Sequence, residues 1–359
     1  MNSFLYESQS ARVLFGIDKV NEIKDEISIL DIKNVMVISS PQQEDFARSV
    51  AERIGEYCGD IFPMAVQHVP VENVKVGIEQ VRKLEIDGLV AVGGGSAIGL
   101  AKAIALSTSL PIVAIPTTYA GSEMTPIWGI TENGLKKTGK NVIVKPKTVI
   151  YDPKLTLSLP PTFSITSGMN GIAHCVEGLY SEHANPIISL LAEEGIRALS
   201  SSLPILKENP NDLEARAKAQ YGTMLGGVVL GSVGMALHHK LCHTLGGSYN
   251  LPHAETHTVI LPYVTEYNSN YAPAAMEAIG RALNVDAENA GASLYDLATN
   301  LGIPISLEKI GMKEENLNEA AELATQNPYY NPRPVNQESI RALLQCAFEG
   351  IRPEKGIFT

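Results

Sequence analysis

Between residues 34 and 153 short apolar runs alternate with helical patterns, and this alternation constrains the fold more than any other feature of the chain. NVMVISS at 34–40 precedes a helical stretch at 42–57, and FPMAVQHVP at 62–70 precedes a helix over 74–84. DGLVAVGGGS at 87–96 leads into a helix over 97–107, and PIVAIPTT at 111–118 into the loop YAGSEMTP. A last apolar run, KTVIYDP at 147–153, follows a charged turn in which Asn133-Gly134 predicts a hairpin. Strands joined through helices pair in parallel, so the pattern predicts a parallel sheet covered on both faces. Ligands of such sheets bind at the carboxyl ends of the strands.

From about Leu155 the pattern becomes purely helical, as in ISLLAEEGIRALSSSLPILK at 188–207 and ARAKAQYGTMLGGVVLGSV at 215–233. The expected division of the 359 residues is therefore an α/β dinucleotide-binding domain over 1–155 and an all-helical catalytic domain over 156–359, with the active site in the cleft between them. Charge narrows the partners. With 28 basic against 39 acidic residues the net charge is −11, and no basic stripe offsets it, which excludes a nucleic-acid surface. The four cysteines, Cys58, Cys175, Cys242 and Cys346, form no CxxC pair and read as reduced thiols. The amino-terminal stretch lacks the pattern of a signal peptide, and no apolar run reaches the roughly 18 residues of a membrane span. The expectation is a cytoplasmic protein with no membrane partner.

Gly93-Gly94-Gly95-Ser96 lies between an apolar strand and a helix, where backbone N–H groups and the helix N-terminus favour a pyrophosphate. The common GxGxxG fingerprint cannot be written through it, and a tight strand-to-helix turn is the alternative. Thr117-Thr118 and Gly121-Ser122 would add hydroxyls and backbone donors beside the same crevice. Ser39-Ser40 stands where many NAD-preferring folds place a carboxylate against the adenosine ribose, so nothing there repels a 2′-phosphate.

Five of the eight histidines fall between His238 and His257. His239 and His243 are spaced i, i+4 and share a helix face; Gly246-Gly247 would end that helix, and Pro252-His253 starts a segment that folds another imidazole back. Asn170 and His174 repeat the i, i+4 spacing, with Glu177 a turn further on. Asn170, His174, His239 and His253 read together like a divalent-metal site whose anionic ligand is missing, since iron and zinc sites favour carboxylate, imidazole or thiolate over a neutral amide.

DGLVAVGGGSAIGLAKAIA, PTTYAGSEMT, KTVIYDP, GMNGIAHCVEGLYS and HHKLCHTLGGSYNLPHAETHTVILPYV resemble, in order and spacing, the iron-containing alcohol dehydrogenase superfamily over nearly the whole chain. Within it the chain looks most like the maleylacetate reductases. Asn170 replaces the metal-binding Asp, Gly99 stands where GGGSxxD is expected, Tyr119 lies in the PTT loop, and NPYYNPRPV at 327–335 resembles the reductase branch.

The resemblance implies the dehydroquinate synthase-like fold, with a Rossmann-like nucleotide site in the α/β domain. It also implies a homodimer using NADH or NADPH, without a required metal, to reduce the carbon–carbon double bond of a dicarboxylate in the breakdown of aromatic compounds. Cofactor-binding positions are then Ser39, Ser40, Gly93, Gly94, Gly95, Ser96, Thr117, Thr118, Tyr119 and Ser122. The chemistry needs an acid and an oxyanion partner, which assigns His243 as principal proton donor and His174, His239, His253 and Asn170 as the polar wall at vestigial metal positions. Lys240, Arg333 and Lys140 are the candidate substrate-carboxylate contacts. A metal-dependent alcohol dehydrogenase, with the histidines holding zinc or iron, is the alternative.

Overall fold

The computed structural model describes residues 4–7, 11–327 and 329–358. It divides into two compact units, Ser8–Leu159 and Pro160–Thr359, the second also taking in the amino-terminal residues up to Glu7.

The first unit is built on six strands: β1 (Arg12–Phe15), β2 (Val35–Ile38), β3 (Cys58–Phe62), β4 (Gly88–Gly93), β5 (Ile112–Pro116) and, after an antiparallel hairpin of β6 (Ile127–Glu132) and β7 (Leu135–Lys140), β8 (Thr148–Tyr151). The sheet order is β1-β8-β5-β4-β2-β3, and every pairing within it is parallel. Successive strand side chains point to opposite faces, and the two faces have separate cores. Met36, Ile38, Leu89 and Ala91 pack with Val74 and Val81 of α3 (Val71–Lys83) and Ile98 and Ile104 of α4 (Gly95–Thr108). The alternate residues Val35, Val37, Val90 and Val92 pack with Ile23 and Ile27 of α1 (Ile23–Ile29) and Ala47, Val50 and Ile54 of α2 (Glu44–Ile54). Near-continuous apolar strands are the result of covering both faces.

Two strand expectations are corrected. β1 has only four residues, lies at the sheet edge and buries only Leu14, so its apolar pattern is too short to stand out. Of the run at 62–70 only Phe62 is strand, closing β3, and 63–69 is a loop: Pro63 has no N–H to give a ladder, and His68 and Val69 take φ of 65° and 49°. The glycine motif therefore follows the fourth strand. The hairpin forms as its turn residues dictate, with Asn133 and Gly134 both at positive φ, 52° and 76°.

The second unit is helical: α5 (Pro161–Leu179), α6 (Pro186–Glu208), α7 (Leu213–Ser232), α8 (Leu237–Tyr249), α9 (His253–Asn268), α10 (Pro273–Leu283), α11 (Ala290–Asn300), α12 (Leu317–Thr325) and α13 (Gln337–Glu349). It begins at Pro160 because Asp152 caps a short 3-10 turn, Pro153–Thr156, that still belongs to the sheet unit. α5 is buried from Ser164 to Leu179, which is why its sequence has no polar stripe. α8 does not end at Gly246-Gly247. It runs to Tyr249 and stops at Asn250, whose φ of 53° is the left-handed geometry of a helix end. No single helix among the described residues is long and apolar enough to cross a membrane. Pro328, within the closing segment 327–335, lies outside the described residues.

Candidate active site

Two constellations stand out, one in each unit. In the α/β unit the carboxyl ends of β2, β4 and β5 meet. Ser39 is buried at the end of β2 and its Oγ finds no protein partner; Ser40 opens the next turn at ψ 159°. Gly93 has φ of 139°, and a Cβ there would lie 2.5 Å from Gln43 Oε1; at Gly94 it would lie 2.8 Å from Thr118 Cγ2. Side chains at 93 and 94 would thus clash with the neighbouring walls. A Cβ at Gly95 would meet only Ala120 Cβ, at an ordinary 3.9 Å, and Ser96 follows it in the first turn of α4. Thr117 N donates to Gly93 O at 3.2 Å, tying the threonine loop to the glycine turn. Gln43, which the sequence did not single out, donates from Nε2 to Thr117 Oγ1 at 2.9 Å and so links the loops after β2 and β5. Ser122 Oγ is buried without a protein partner. Tyr119 is fully buried and donates to Thr156 Oγ1 at 3.3 Å, so its hydroxyl fixes the loop. Gly99 makes room for Val69, whose Cγ2 would lie 2.9 Å from a Cβ at that position.

In the helical unit six imidazoles form one array. His174 of α5 stacks on His239 of α8 at 5.2 Å between ring centroids. His239 meets His257 of α9 at 4.8 Å and His243 at 6.0 Å; His257 meets His253 at 4.4 Å and His238 at 4.9 Å. His174, His238, His239 and His257 are buried, whereas His243 and His253 are exposed at the ends. Sequence spacing anticipated His174, His239, His243 and His253. It passed over His238, one residue from His239, and His257, although the latter is at i+4 from His253. His238 Nε2 and His257 Nδ1 share a hydrogen bond of 3.0 Å.

Glu177 organises the middle of the array. Its Oε1 accepts the backbone N–H groups of His238 at 2.7 Å and His239 at 3.4 Å, and its Oε2 lies 2.5 Å from His239 Nδ1. Fully buried, it sits at the N-terminus of α8, where a carboxylate is favoured. Burial pushes its carboxyl up to about 8, against the backbone N–H groups of His238, His239 and Ala236. Burial also lowers His239 to about 3 and holds His174, His238 and His257 well below the usual imidazole range, with neighbouring histidines adding to the effect. The four buried rings are therefore neutral near pH 7.

Asn170 Oδ1, His174 Nδ1, His238 Nδ1, His239 Nε2 and His257 Nε2 are buried without a protein hydrogen-bond partner. Such groups call for a polar ligand. Ring nitrogens of His238, His239 and His257 lie within 4.8 Å of one another, so of the four vestigial metal positions only His239 belongs to this tightest group of ligand atoms. As a donor set for iron the array fits poorly. Asn170 is a weak, neutral ligand where a carboxylate is favoured, and Glu177 is engaged by α8.

The expected carboxylate contacts are scattered. Lys240 is half-buried on α8 with Nζ 5.7 Å from the Tyr329 ring centroid, and Lys140 is exposed at the end of β7. Arg333 is not a free anion partner. Its guanidinium lies 4.2 Å from the Tyr267 ring centroid, and it donates to Tyr267 O at 3.4 Å and Phe358 O at 2.5 Å.

Residues 10–153 match the family described as iron-containing alcohol dehydrogenase, and residues 164–348 match the Fe-containing alcohol dehydrogenase family, C-terminal. The maleylacetate reductase of Burkholderia cepacia is 51% identical over 98% of this chain and 100% of its own length. That of Sphingobium indicum is 49% identical over 98% of this chain and 99% of its own. The crystal structure of maleylacetate reductase from Agrobacterium tumefaciens superposes with a TM-score of 0.96 at 47% identity, covering 98% of this chain and all of that one. The chain belongs to the iron-containing alcohol dehydrogenase family and is an oxidoreductase. Within that family it groups with the maleylacetate reductases.

Proposed function

We propose that the chain reduces the carbon–carbon double bond of maleylacetate to give 3-oxoadipate, with NADH or NADPH as reductant and without a required metal. The observation that carries the activity is full-length identity of about half to maleylacetate reductases. Asn170, a neutral amide where the family's anionic metal ligand is expected, supports direct catalysis by side chains and disfavours the metal-dependent alcohol dehydrogenase reading.

When bound in the glycine cradle, a dihydronicotinamide would supply a hydride to the alkene carbon β to the ketone. The electron pair of the double bond then moves toward the ketone oxygen, and the resulting enolate needs hydrogen-bond donors there and a proton at the α carbon. Neutral imidazoles each keep one N–H, so the array can offer donors to an oxyanion without a buried positive charge. His243, exposed at the end of the array and 6.0 Å between centroids from His239, is suited to give the proton and recover it from water. Lys240, on the same helix, supplies positive charge for a substrate carboxylate, and Lys140 is retained as a second candidate. The cradle of Gly93, Gly94, Gly95 and Ser96, with Ser39, Ser40, Thr117, Thr118 and Ser122, would hold the cofactor's phosphates and sugars. The same reading includes a cytoplasmic homodimer in aromatic-compound catabolism, which the four free cysteines support as regards a reducing compartment.

His243→Ala tests the acid role. It should lower kcat by about 100-fold or more while KM for maleylacetate changes little, as expected for loss of a general acid. A raised KM with unchanged kcat overturns that role.

A further inference from the structure

Lys102 is a charged residue buried in the α/β unit and used by none of the chemistry above. It lies on α4, two turns beyond the glycine cradle, and its Nζ is surrounded by acceptors. It donates to Ser122 O at 2.5 Å, Thr125 O at 2.8 Å, Thr125 Oγ1 at 3.0 Å and Ile127 O at 3.0 Å. All four belong to one short segment, the continuation of the loop that carries Thr117, Thr118 and Ser122. Thr125 Oγ1 in turn donates to Ser122 O at 3.0 Å. Gly121, which opens the segment, has φ of 74°, so the chain turns sharply just before the ammonium gathers it.

We propose that Lys102 is a positioning residue for the nicotinamide cofactor: its ammonium, caged by the carbonyls of 122–127, clamps the threonine loop to the helix that begins at the glycine cradle. The inference rests on the cofactor reading above. Three carbonyls and a hydroxyl converging on one point form a site of the kind that coordinates a small cation. Here the cation is tethered to α4, so the two walls of the crevice are set by one side chain. An apolar side chain at 102 would take the ammonium away from all four acceptors, leaving Ser122 O only its bonds from Thr125, and the segment would have to rearrange to compensate.

Two neighbours fit this role. Glu123, within the clamped segment, is fully buried with Oε1 accepting from Tyr151 OH at 2.7 Å; burial raises its carboxyl, while the Tyr151 hydroxyl and Lys102 oppose that rise. Burial pulls Lys102 down to about 7 while Glu123 opposes that fall and Lys145 adds to it. The loop is thus anchored at both ends of one residue pair, to α4 by Lys102 and to β8 by Glu123 and Tyr151.

The test is NADH binding to the full-length chain, followed by energy transfer from its single tryptophan, Trp128, and by calorimetry. Lys102→Met should weaken NADH binding by about tenfold, the scale of a lost charge-assisted hydrogen-bond cluster. It should raise KM for NADH more than it lowers kcat, and amide exchange in 120–127 should quicken while exchange in 88–92 stays slow. Thr125→Val, which removes one hydroxyl from the cage, should weaken binding by about threefold and decides the matter if the Lys102 variant does not fold. NADH affinity within twofold of wild type in the folded variants overturns the proposal. Wild-type chain that gives neither energy transfer nor heat with NADH overturns the cofactor reading itself, and the clamp with it.

Discussion

His238→Leu gives the sharpest test of a buried, neutral histidine array. His238 is fully buried, and burial followed by its histidine neighbours holds it well below the usual imidazole range. The unfolded chain has an ordinary imidazole at about 6.5. Because the folded pKa is depressed, unfolding takes up a proton below that pH. The stabilisation is whole above about pH 6.5 and is lost as pH falls toward the folded value. At pH 5.5 one such residue has lost about 1.4 kcal/mol, and at pH 4.5 about 2.7 kcal/mol. Replacing His238 by Leu also removes its 3.0 Å bond to His257, which costs about 1–3 kcal/mol at pH 7.5 because His257 Nδ1 is left unpaired. The two effects separate by pH. The cost of the substitution should shrink by about 1.4 kcal/mol between pH 7.5 and 5.5, since only the wild type loses that proton-linked stability. Glu177, whose carboxyl is raised by burial, acts with the opposite sign in both proteins and cancels from the difference. Urea unfolding at the two pH values, with slopes compared, measures this. A cost that does not change with pH would refute a neutral, buried His238.

Two further outcomes follow from the geometry. Arg333→Gln should lower stability by about 1–2 kcal/mol through loss of its contacts with Tyr267 and Phe358, while KM for maleylacetate stays unchanged; a raised KM with unchanged stability would restore it as a substrate contact. With Ser39 and Ser40 in place of a carboxylate, NADH and NADPH should both be accepted, and KM values differing by more than about a thousandfold, roughly 4 kcal/mol, would rule this out.

The sheet unit was legible because its physics is local. Strands covered on both faces read as apolar runs, and Asn133-Gly134 and Gly93-Gly94 announce backbone geometries that few other residues accept. β1 escaped because an edge strand of four residues buries too little to leave a pattern, and the extent of α8 escaped because two glycines were outweighed by packing of its apolar face. In the helical unit, i, i+4 spacing found the pairs Asn170/His174 and His239/His243. It could not show that α5, α8 and α9 meet at Glu177, His239 and His257, since contacts between helices depend on packing between distant segments. The same limit hid Gln43 and Lys102, whose partners lie 74 and 20 to 25 residues away. Arg333 misled for the reverse reason: a guanidinium suits a carboxylate, but it also suits aromatic rings and carbonyls, and only the fold shows which it meets.

The measurement that bears most directly on the account is NADH oxidation with maleylacetate, using enzyme dialysed exhaustively against chelator, with residual metal quantified in the same sample. Catalysis by the imidazole array predicts full turnover with far less than one metal ion per chain, and 3-oxoadipate formed in step with the NADH consumed. Activity that disappears on chelation and returns with zinc or iron would contradict it, and would assign the histidines to holding a Lewis acid.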